Sequence, residues 1–256
     1  MKIIISPAKK MKQDTDTLEC RGTPLFLQEA EYLKGYMQGL DYRQAKEIWK
    51  CNDKIAALNY ERFAGMDLSG NLTPALLSYE GIQYQYMAPA VFEDQSWEYV
   101  EKHLNILSGF YGLLKPFDGI VPYRLEMQAP VHLENYRNLY DYWGNKIYRE
   151  LYQEEAVILN LASKEYSKCV TPYLKPADRF LTCRFGEWKD GKAVEKGTQV
   201  KMARGEMVRF LARNKVEDLE QIREFRGLGY RYEESLSDEN TYVFLKEEGN
   251  EFSNTL

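Results

Sequence analysis

Three short apolar runs along the chain each end in a turn that carries a serine. The runs cover residues 3–5, 106–107 and 157–161, and the serines that follow them are Ser6, Ser108 and Ser163. Short apolar runs bounded by turn residues are typical of buried strands, and open α/β sheets bind ligands outside the carboxyl ends of such strands. We therefore predict three buried strands whose ends deliver the serines to one binding site. The alternative is that each serine only forms a turn or a helix cap.

Helical spacing of apolar residues separates these strands. It predicts helices over 24–37, 42–50 and 53–63, and another around Met207 and Leu211. Shorter apolar segments predict strands at 75–77, 84–86 and 199–202, the last of them closing a hairpin that turns at 189–192. Because strands and helices are intermixed without a linker, we predict a single domain over residues 1–256. Its class is α/β (mixed α+β), with a mixed sheet and flanking helices.

Length and composition exclude several classes of protein. The 256 residues suit one large domain or two small ones, and no apolar run approaches the ~18 residues that a membrane span requires. The N-terminal apolar stretch is too short for a signal peptide, so we expect a cytoplasmic protein without a membrane partner. The four cysteines and two histidines lack metal-ligand spacing, and no phosphate-binding glycine motif is present. We therefore expect no metal site and no cofactor, although an all-carboxylate site stays open.

Charge is unevenly distributed along the chain. Overall the net charge is −5, yet residues 160–231 carry 16 basic and 10 acidic side chains. That segment contains Arg204 and Arg209, and a second basic stretch within residues 2–12 contains Lys9. Two basic stretches in an acidic protein are consistent with one shared anion-binding cleft or with ordinary solvated faces.

Two arginines, Arg124 and Arg204, have neighbouring residues that suggest a binding or catalytic role. Arg124 and Glu126 fall on one side of residues 122–127 if that segment is extended. They are then either a structural ion pair or an arginine that grips phosphate beside a carboxylate that orients it or acts as a base. Arg204 precedes Gly205, where the backbone can approach a ligand closely, and its guanidinium is a bidentate phosphate donor.

Residues 52–66 allow two interpretations. The spacing of Ile55, Leu58 and Phe63 suits two short helices that meet at a tight hairpin. Such hairpins bind duplex phosphates through backbone amides and nearby basic groups, without reading bases. The other interpretation is one amphipathic helix.

The chain resembles the YaaA family of peroxide stress proteins over nearly its whole length. The segments that carry the resemblance are 5–9, 107–118, 122–127, Tyr140 with 143–144, 160–163, 165–166 and 203–205. The resemblance implies a cytosolic protein of the hydrogen peroxide response that limits free intracellular iron. It also implies one mixed α/β domain with a helix-hairpin-helix element, a positive cleft and DNA as the partner.

Three positions depart from the family pattern. Ala57 stands where the hairpin has glycine, Met202 where lysine is common, and Lys164 where an acid is common. If position 57 requires a left-handed backbone, alanine costs about 1 kcal/mol there. We therefore expect a distorted hairpin and a rearranged cleft.

Our first hypothesis is a DNA-binding stress protein. Its cleft would be lined by Ser6, Lys9, Ser108, Arg124, Ser163, Lys164, Arg204 and Arg209, with Lys54 and Asn59 of 52–66 on the DNA backbone.

The second hypothesis is an enzyme that acts on a small phosphorylated or carboxylated metabolite. Lys9, Arg124 and Arg204 would hold the anion, and the candidates for proton transfer are Glu126, Glu165 and Tyr111. Convergence of these side chains in a deep pocket favours this hypothesis, whereas a broad open groove counts against it. A third possibility is direct iron sequestration by carboxylates.

Overall fold

The structure is a computed structural model that describes residues 1–153, 157–189 and 192–246. Its strands are β1 Lys2–Ile5, β2 Lys10–Met11, β3 Thr73–Pro74, β4 Tyr79–Glu80, β5 Leu104–Ser108, β6 Gly112–Leu114, β7 Gly119–Ile120, β8 Val157–Leu161, β9 Arg179–Lys189, β10 Lys192–Val194, β11 Tyr230–Tyr232 and β12 Thr241–Lys246. Within the described residues, eight of them form one mixed sheet in the order β11-β12-β9-β8-β1-β5-β6, with β10 beside β9. The α/β class and the mixed sheet are therefore confirmed.

Helices flank this sheet. They are α1 Leu27–Gln38, α2 Tyr42–Trp49, α3 Asp53–Ala64, α4 Ala75–Ser78, α5 Ile82–Met87, α6 Asp94–His103, α7 Leu139–Trp143, α8 Lys146–Leu151, α9 Lys164–Ser167, α10 Gly197–Asn214 and α11 Leu219–Ile222. Short 3-10 turns cover 89–91, 171–173, 227–229 and 234–236. The longest helix, α10, packs on α5 and α6, so it holds one side of the region where β1 ends.

The three predicted core strands are confirmed as neighbours at the centre of the sheet. β1 pairs in parallel with β5 and β8, and Ile5 is opposite both Ile106 and Leu161. The side chains of β1 from Ile3 to Ile5 are fully buried, as a continuous apolar run in a parallel strand should be. The carboxyl ends of β1 and β8 therefore lie side by side.

Three segments predicted as strands are helical instead. Residues 75–77 lie in α4, 84–86 in α5 and 199–202 in α10. A short apolar run does not distinguish a buried helix from a buried strand. For residues 84–86 and 199–202, the packing of α10 against α5 favours the helix. The predicted hairpin after β9 exists, but its second strand is β10. The turn positions 190–191 lie outside the described residues, as do the ends of the predicted 1–256 domain beyond 246.

The hairpin interpretation of 52–66 is wrong, because 53–64 form the single helix α3. α2 and α3 match the helices predicted at 42–50 and 53–63, and the turn between them lies at 50–52. Lys50 takes the left-handed conformation there, with φ 45°. Asn52 then caps α3 by accepting a hydrogen bond from the Ile55 N–H at 3.0 Å. Ala57 lies inside the helix, so the strain expected at that position does not arise.

Asn59 is not available for the DNA contact predicted for it. Its side chain is only 3% exposed, and its amide donates to the Ile55 carbonyl one turn earlier at 2.8 Å. Asn59 lies on the buried face of α3 together with Ala56 and Phe63, at the spacing of one helix face. Lys54, on the same helix, is exposed.

Candidate anion-binding pocket

A pocket of about 370 Å³ opens where β1 and β8 end. Its polar and charged lining residues are Ser6, Lys9, Lys10, Glu80, Gln83, Arg124, Glu126, Ser163, Glu165, Lys201 and Arg204, and Tyr84, Tyr123 and Tyr166 are among the others. Seven of the residues predicted from the sequence thus share one cavity, drawn from four separate chain segments. Arg124 and Arg204 line the same cavity, rather than lying on opposite faces.

The two serines at the strand ends are bonded to each other. The Ser6 hydroxyl accepts a hydrogen bond from the Ser163 N–H at 2.8 Å and donates to the Ser163 hydroxyl at 3.2 Å. The Tyr84 hydroxyl donates to the Ser6 carbonyl at 3.0 Å, which ties the β1 end to α5. These contacts follow directly from the parallel pairing of β1 with β8.

Arg124 is positioned by its backbone as well as by its side chain. The Trp49 indole N–H donates to the Arg124 carbonyl at 2.6 Å. Gly109 lets the turn after β5 pass against this segment, because a Cβ there would lie 2.5 Å from the Leu125 carbonyl oxygen. The extended segment that was predicted around Arg124 is therefore fixed between α2 and the turn after β5.

Glu126 bridges two cations at the pocket wall. Its Oε2 lies 2.6 Å from the Lys9 Nζ, and its Oε1 lies 3.1 Å from the Arg124 Nη2. The side chains of Arg124 and Glu126 are 11% and 16% exposed, so water screens this pair only weakly. The Arg124–Glu126 ion pair is therefore present, and Lys9 joins it.

Arg204 enters the pocket from α10. Its Nε is buried without a hydrogen-bond partner, and within the described residues its guanidinium makes no ion pair or hydrogen bond. Burial lowers the pKa of this guanidinium, an effect that the negative charge of Glu195 opposes. The group nevertheless stays protonated, since arginine titrates far above neutral pH. A partly buried cation that makes no direct ion pair with any described residue therefore lines the cavity.

Gly205 serves helix packing and does not serve a ligand, contrary to the prediction. A Cβ at this position would lie 2.1 Å from the Gln83 carbonyl oxygen and 2.9 Å from the Met87 nitrogen. The backbones of α10 and α5 therefore touch at Gly205. This contact brings Arg204, one residue earlier on α10, beside the residues of α5 that line the pocket.

Glu165 lies on the same wall as Glu126 but in a different environment. Its Oε1 accepts a hydrogen bond from the Gln128 N–H at 3.3 Å, and the Tyr140 hydroxyl donates to its carbonyl at 3.0 Å. Burial is the main cause that raises the pKa of the Glu165 carboxyl, and the negative charge of Glu126 raises it further. Glu165 is thus the carboxyl of this pocket that holds a proton more readily than an exposed glutamate does.

Two of the predicted residues lie behind the pocket. The Ser108 hydroxyl bonds to the Tyr123 hydroxyl at 2.6 Å and accepts from the N–H groups of Phe110 and Tyr111. Tyr111 is 1% exposed, and its hydroxyl accepts from the Val121 N–H at 3.3 Å. Burial raises the pKa of the Tyr111 phenol. Ser108 therefore supports the Tyr123 wall, and the prediction of Tyr111 as a proton-transfer residue does not fit its position.

Three predicted basic residues lie away from the cavity lining. Lys164 is exposed although it is adjacent to Ser163, and Lys54 is exposed on α3. Arg209 is half-buried on α10 five residues after Arg204. At 3.6 residues per turn, five residues place the two arginines about 140° apart around the helix. The predicted convergence of Lys164 and Arg209 with Arg204 is therefore not found, and the DNA contact predicted for Lys54 stays a prediction.

Comparison with known proteins agrees with the motifs. The family model described as peroxide stress protein YaaA matches residues 1–236. The chain belongs to this family. A UPF0246 protein of Desulfitobacterium hafniense is 60% identical over 246 residues, covering 96% of this chain and 98% of the relative. UPF0246 proteins of Lachnoclostridium phytofermentans and Pediococcus pentosaceus are 53% and 50% identical, and each covers at least 97% of both chains. A role in peroxide stress follows from the family.

Four polar or charged residues that line the pocket of this YaaA-family protein were not predicted from the sequence: Lys10, Glu80, Gln83 and Lys201. Glu80 and Gln83 were missed because they lie between a predicted turn and a segment predicted as a strand, and Lys10 because only Lys9 was singled out from its basic stretch. Lys201 precedes Arg204 by three residues, a spacing that puts two side chains on one helix face. That spacing was the available signal, and predicting 199–202 as a strand concealed it.

Two further properties of the described residues bear on the other hypotheses. Residues 1–153, 157–189 and 192–246 hold no group of three or more His, Cys, Asp or Glu side chains arranged to bind a metal ion. None of the helices in these ranges combines the length and apolar character that crossing a membrane requires.

Proposed function

We propose that this protein acts in the peroxide stress response by binding a small phosphorylated or carboxylated molecule in the pocket, with Arg204 as its main contact. The observation that carries the proposal is Arg204, which lines the pocket with its Nε buried and with no direct ion-pair or hydrogen-bond partner among the described residues. A buried charge without a partner is costly, and a bound oxyanion supplies the partner. The Ser163 hydroxyl, which accepts from Ser6 and lines the same pocket, offers a further donor at the strand ends.

The size and shape of the site support a small ligand. A volume of about 370 Å³ is near the lower end of the roughly 300–1,000 Å³ that is typical of small-molecule sites. Ser6, Arg124, Glu165 and Arg204 converge in this cavity, which is the arrangement that favours the small-metabolite hypothesis. The cavity can take a phosphate or carboxylate group, but not a duplex. Among the candidates for proton transfer, Glu165 is the carboxyl that is free of ion pairs among the described residues.

The proposal places the protein in the cytoplasm. It also makes the limitation of free iron, which the family resemblance implies, a consequence of what happens to the bound anion. Under this proposal the protein is an enzyme if the anion is changed in the pocket, and an anion-responsive stress protein if it is not.

Calorimetric titration with inorganic phosphate, sulfate and malonate tests the proposal. A charge-assisted hydrogen bond contributes about 1.5–3 kcal/mol, so Arg204→Ala should weaken binding by about 10- to 100-fold. Arg209→Ala is the matched control, because it removes the same charge from the same helix outside the pocket. Binding of at least one probe with this difference supports the proposal. Binding of no probe, or equal losses in both variants, contradicts it.

DNA binding is the second candidate function. The observation that favours it is the rim of the pocket, where the Lys9 and Lys10 side chains are 64% and 78% exposed and Lys201 is also exposed. Titration of labelled duplex and bubble DNA at several salt concentrations tests for DNA binding. Neutralising about four to six phosphates predicts a log–log slope near −4 to −5. A flat salt response, or unchanged binding after Arg204→Ala, rules against DNA in this cleft.

A further inference from the structure

Three carboxyl groups line the same pocket, and two of them are neutralised by cations: Glu80 by Lys10, and Glu126 by Lys9 and Arg124. Both oxygens of Glu126 are engaged, one by Lys9 and the other by Arg124. Glu165 makes no ion pair with any described residue, and it accepts hydrogen bonds from the backbone N–H groups of residues 127 and 128. Lys9 and Arg124 are therefore paired with Glu126. Glu165 is the carboxyl on this wall whose protonation a bound ligand can change.

An anion in this cavity changes the electrostatics of Glu165. A ligand oxyanion beside Arg204 brings a negative charge into a cavity that Glu165 also lines. Like charges close together in a partly buried site disfavour ionisation of the weaker acid. Burial and the charge of Glu126 already raise the pKa of Glu165, so the bound anion acts in the same direction.

We infer that the pocket takes up its anion together with one proton, which resides on Glu165. This inference rests on the proposed function. The carboxylate of Glu165, the oxyanion and one proton from solvent become the neutral carboxyl with the oxyanion bound. The carboxyl O–H then donates a hydrogen bond toward an oxygen of the ligand. The ligand class that fits is an oxyanion with a free acceptor oxygen on the side away from Arg204.

Other titratable groups around Glu165 do not supply this proton. The groups that face it are Lys9, Glu126, Tyr140, Tyr166 and Cys169. Lys9 and Glu126 form an ion pair. Burial raises the pKa of Tyr140 and of Cys169 to about 12, and it raises the pKa of Tyr166 well above the usual value. These three groups stay protonated at neutral pH with and without a ligand.

The inference is tested by counting protons during sulfate binding. Sulfate stays a dianion throughout the pH range used, so any proton taken up belongs to the protein. The observed binding enthalpy is measured near pH 6 in buffers of different ionisation enthalpy, and its slope gives the protons bound. We expect uptake of up to one proton per sulfate, and an affinity that falls by up to about tenfold per pH unit as pH rises past the pKa of free Glu165.

The variant Glu165→Gln carries a permanently neutral side chain with an N–H donor. It should bind sulfate with an affinity that hardly changes with pH and without proton uptake. The matched control Glu134→Gln removes an exposed carboxylate outside the pocket lining and should retain the uptake. Sulfate binding that depends on Arg204 but takes up no proton, or uptake that persists in Glu165→Gln, overturns this inference alone. Absence of sulfate binding, or binding indifferent to Arg204→Ala, overturns the proposed function as well.

Discussion

Replacing Arg204 with methionine should make the ligand-free protein more stable while it abolishes the response to an anion. Methionine keeps the length and most of the apolar contacts of the arginine stem. It removes a guanidinium whose Nε is buried and unpartnered and whose pKa burial lowers. The lowered pKa shows that the folded protein holds the charged form less favourably than water does.

The size of the expected gain in stability depends on the position of Arg204. Replacing buried ionic groups by apolar residues of similar volume stabilises proteins by up to about 1–4 kcal/mol. Arg204 lines an open cavity, and water reaches part of its guanidinium, so we expect the lower end of this range, about 1 kcal/mol. For a chain of this size that corresponds to a rise in Tm of roughly 2–4 °C.

Thermal melts with and without sulfate measure both effects. The wild-type protein should gain stability with sulfate according to the ratio of sulfate concentration to Kd, and Arg204→Met should melt higher than wild type but gain nothing. Arg209→Met, on the same helix outside the cavity lining, should keep the gain. A lower Tm for ligand-free Arg204→Met would falsify the reasoning, because it would mean that the charge stabilises the empty pocket.

Four further predictions concern packing, helix structure and pH. Gly205→Ala should destabilise the fold by about 3 kcal/mol in denaturant unfolding, since its Cβ would lie 2.1 Å from the Gln83 carbonyl oxygen. Gly35→Ala in α1, where a Cβ meets nothing within 4 Å, should stabilise by about 0.5–1 kcal/mol. Ala57→Gly should destabilise by about 1 kcal/mol, because residue 57 lies inside α3. Glu165→Gln should gain more stability at neutral pH than in acid. The raised pKa of folded Glu165 means that its stabilising contribution is present below the unfolded pKa and is lost as pH rises through the folded pKa.

Each of these predictions has an opposite outcome that contradicts it. Equal effects of alanine at Gly205 and Gly35 would mean that α10 and α5 do not touch at Gly205. A gain in stability from Ala57→Gly would indicate a left-handed backbone at residue 57 and would argue against a continuous α3. A Glu165→Gln effect that is the same at all pH values would place the Glu165 carboxyl in solvent.

The amino-acid sequence by itself determined the centre of the sheet and the serines at its edge. Residues 3–5 and 157–161 are short, apolar and rich in β-branched side chains, a composition that suits few structures other than buried parallel strands. Once these strands are parallel neighbours, Ser6 and Ser163 must emerge at the same edge. This part of the site was predictable because strand period and turn chemistry are local properties.

Only the tertiary structure decided how the cationic side chains are used. Arg124 and Arg204 are eighty residues apart in sequence, and they line one cavity because α10 touches α5 at Gly205 and because Gly109 admits the segment that carries Arg124. The same packing makes helices of residues 84–86 and 199–202. Which arginine is neutralised and which is left unpaired depends on contacts between distant segments. The local apolar pattern carries no information about such contacts. The sequence can therefore indicate that cationic side chains lie close together, but it does not show which of them lacks an ion-pair partner.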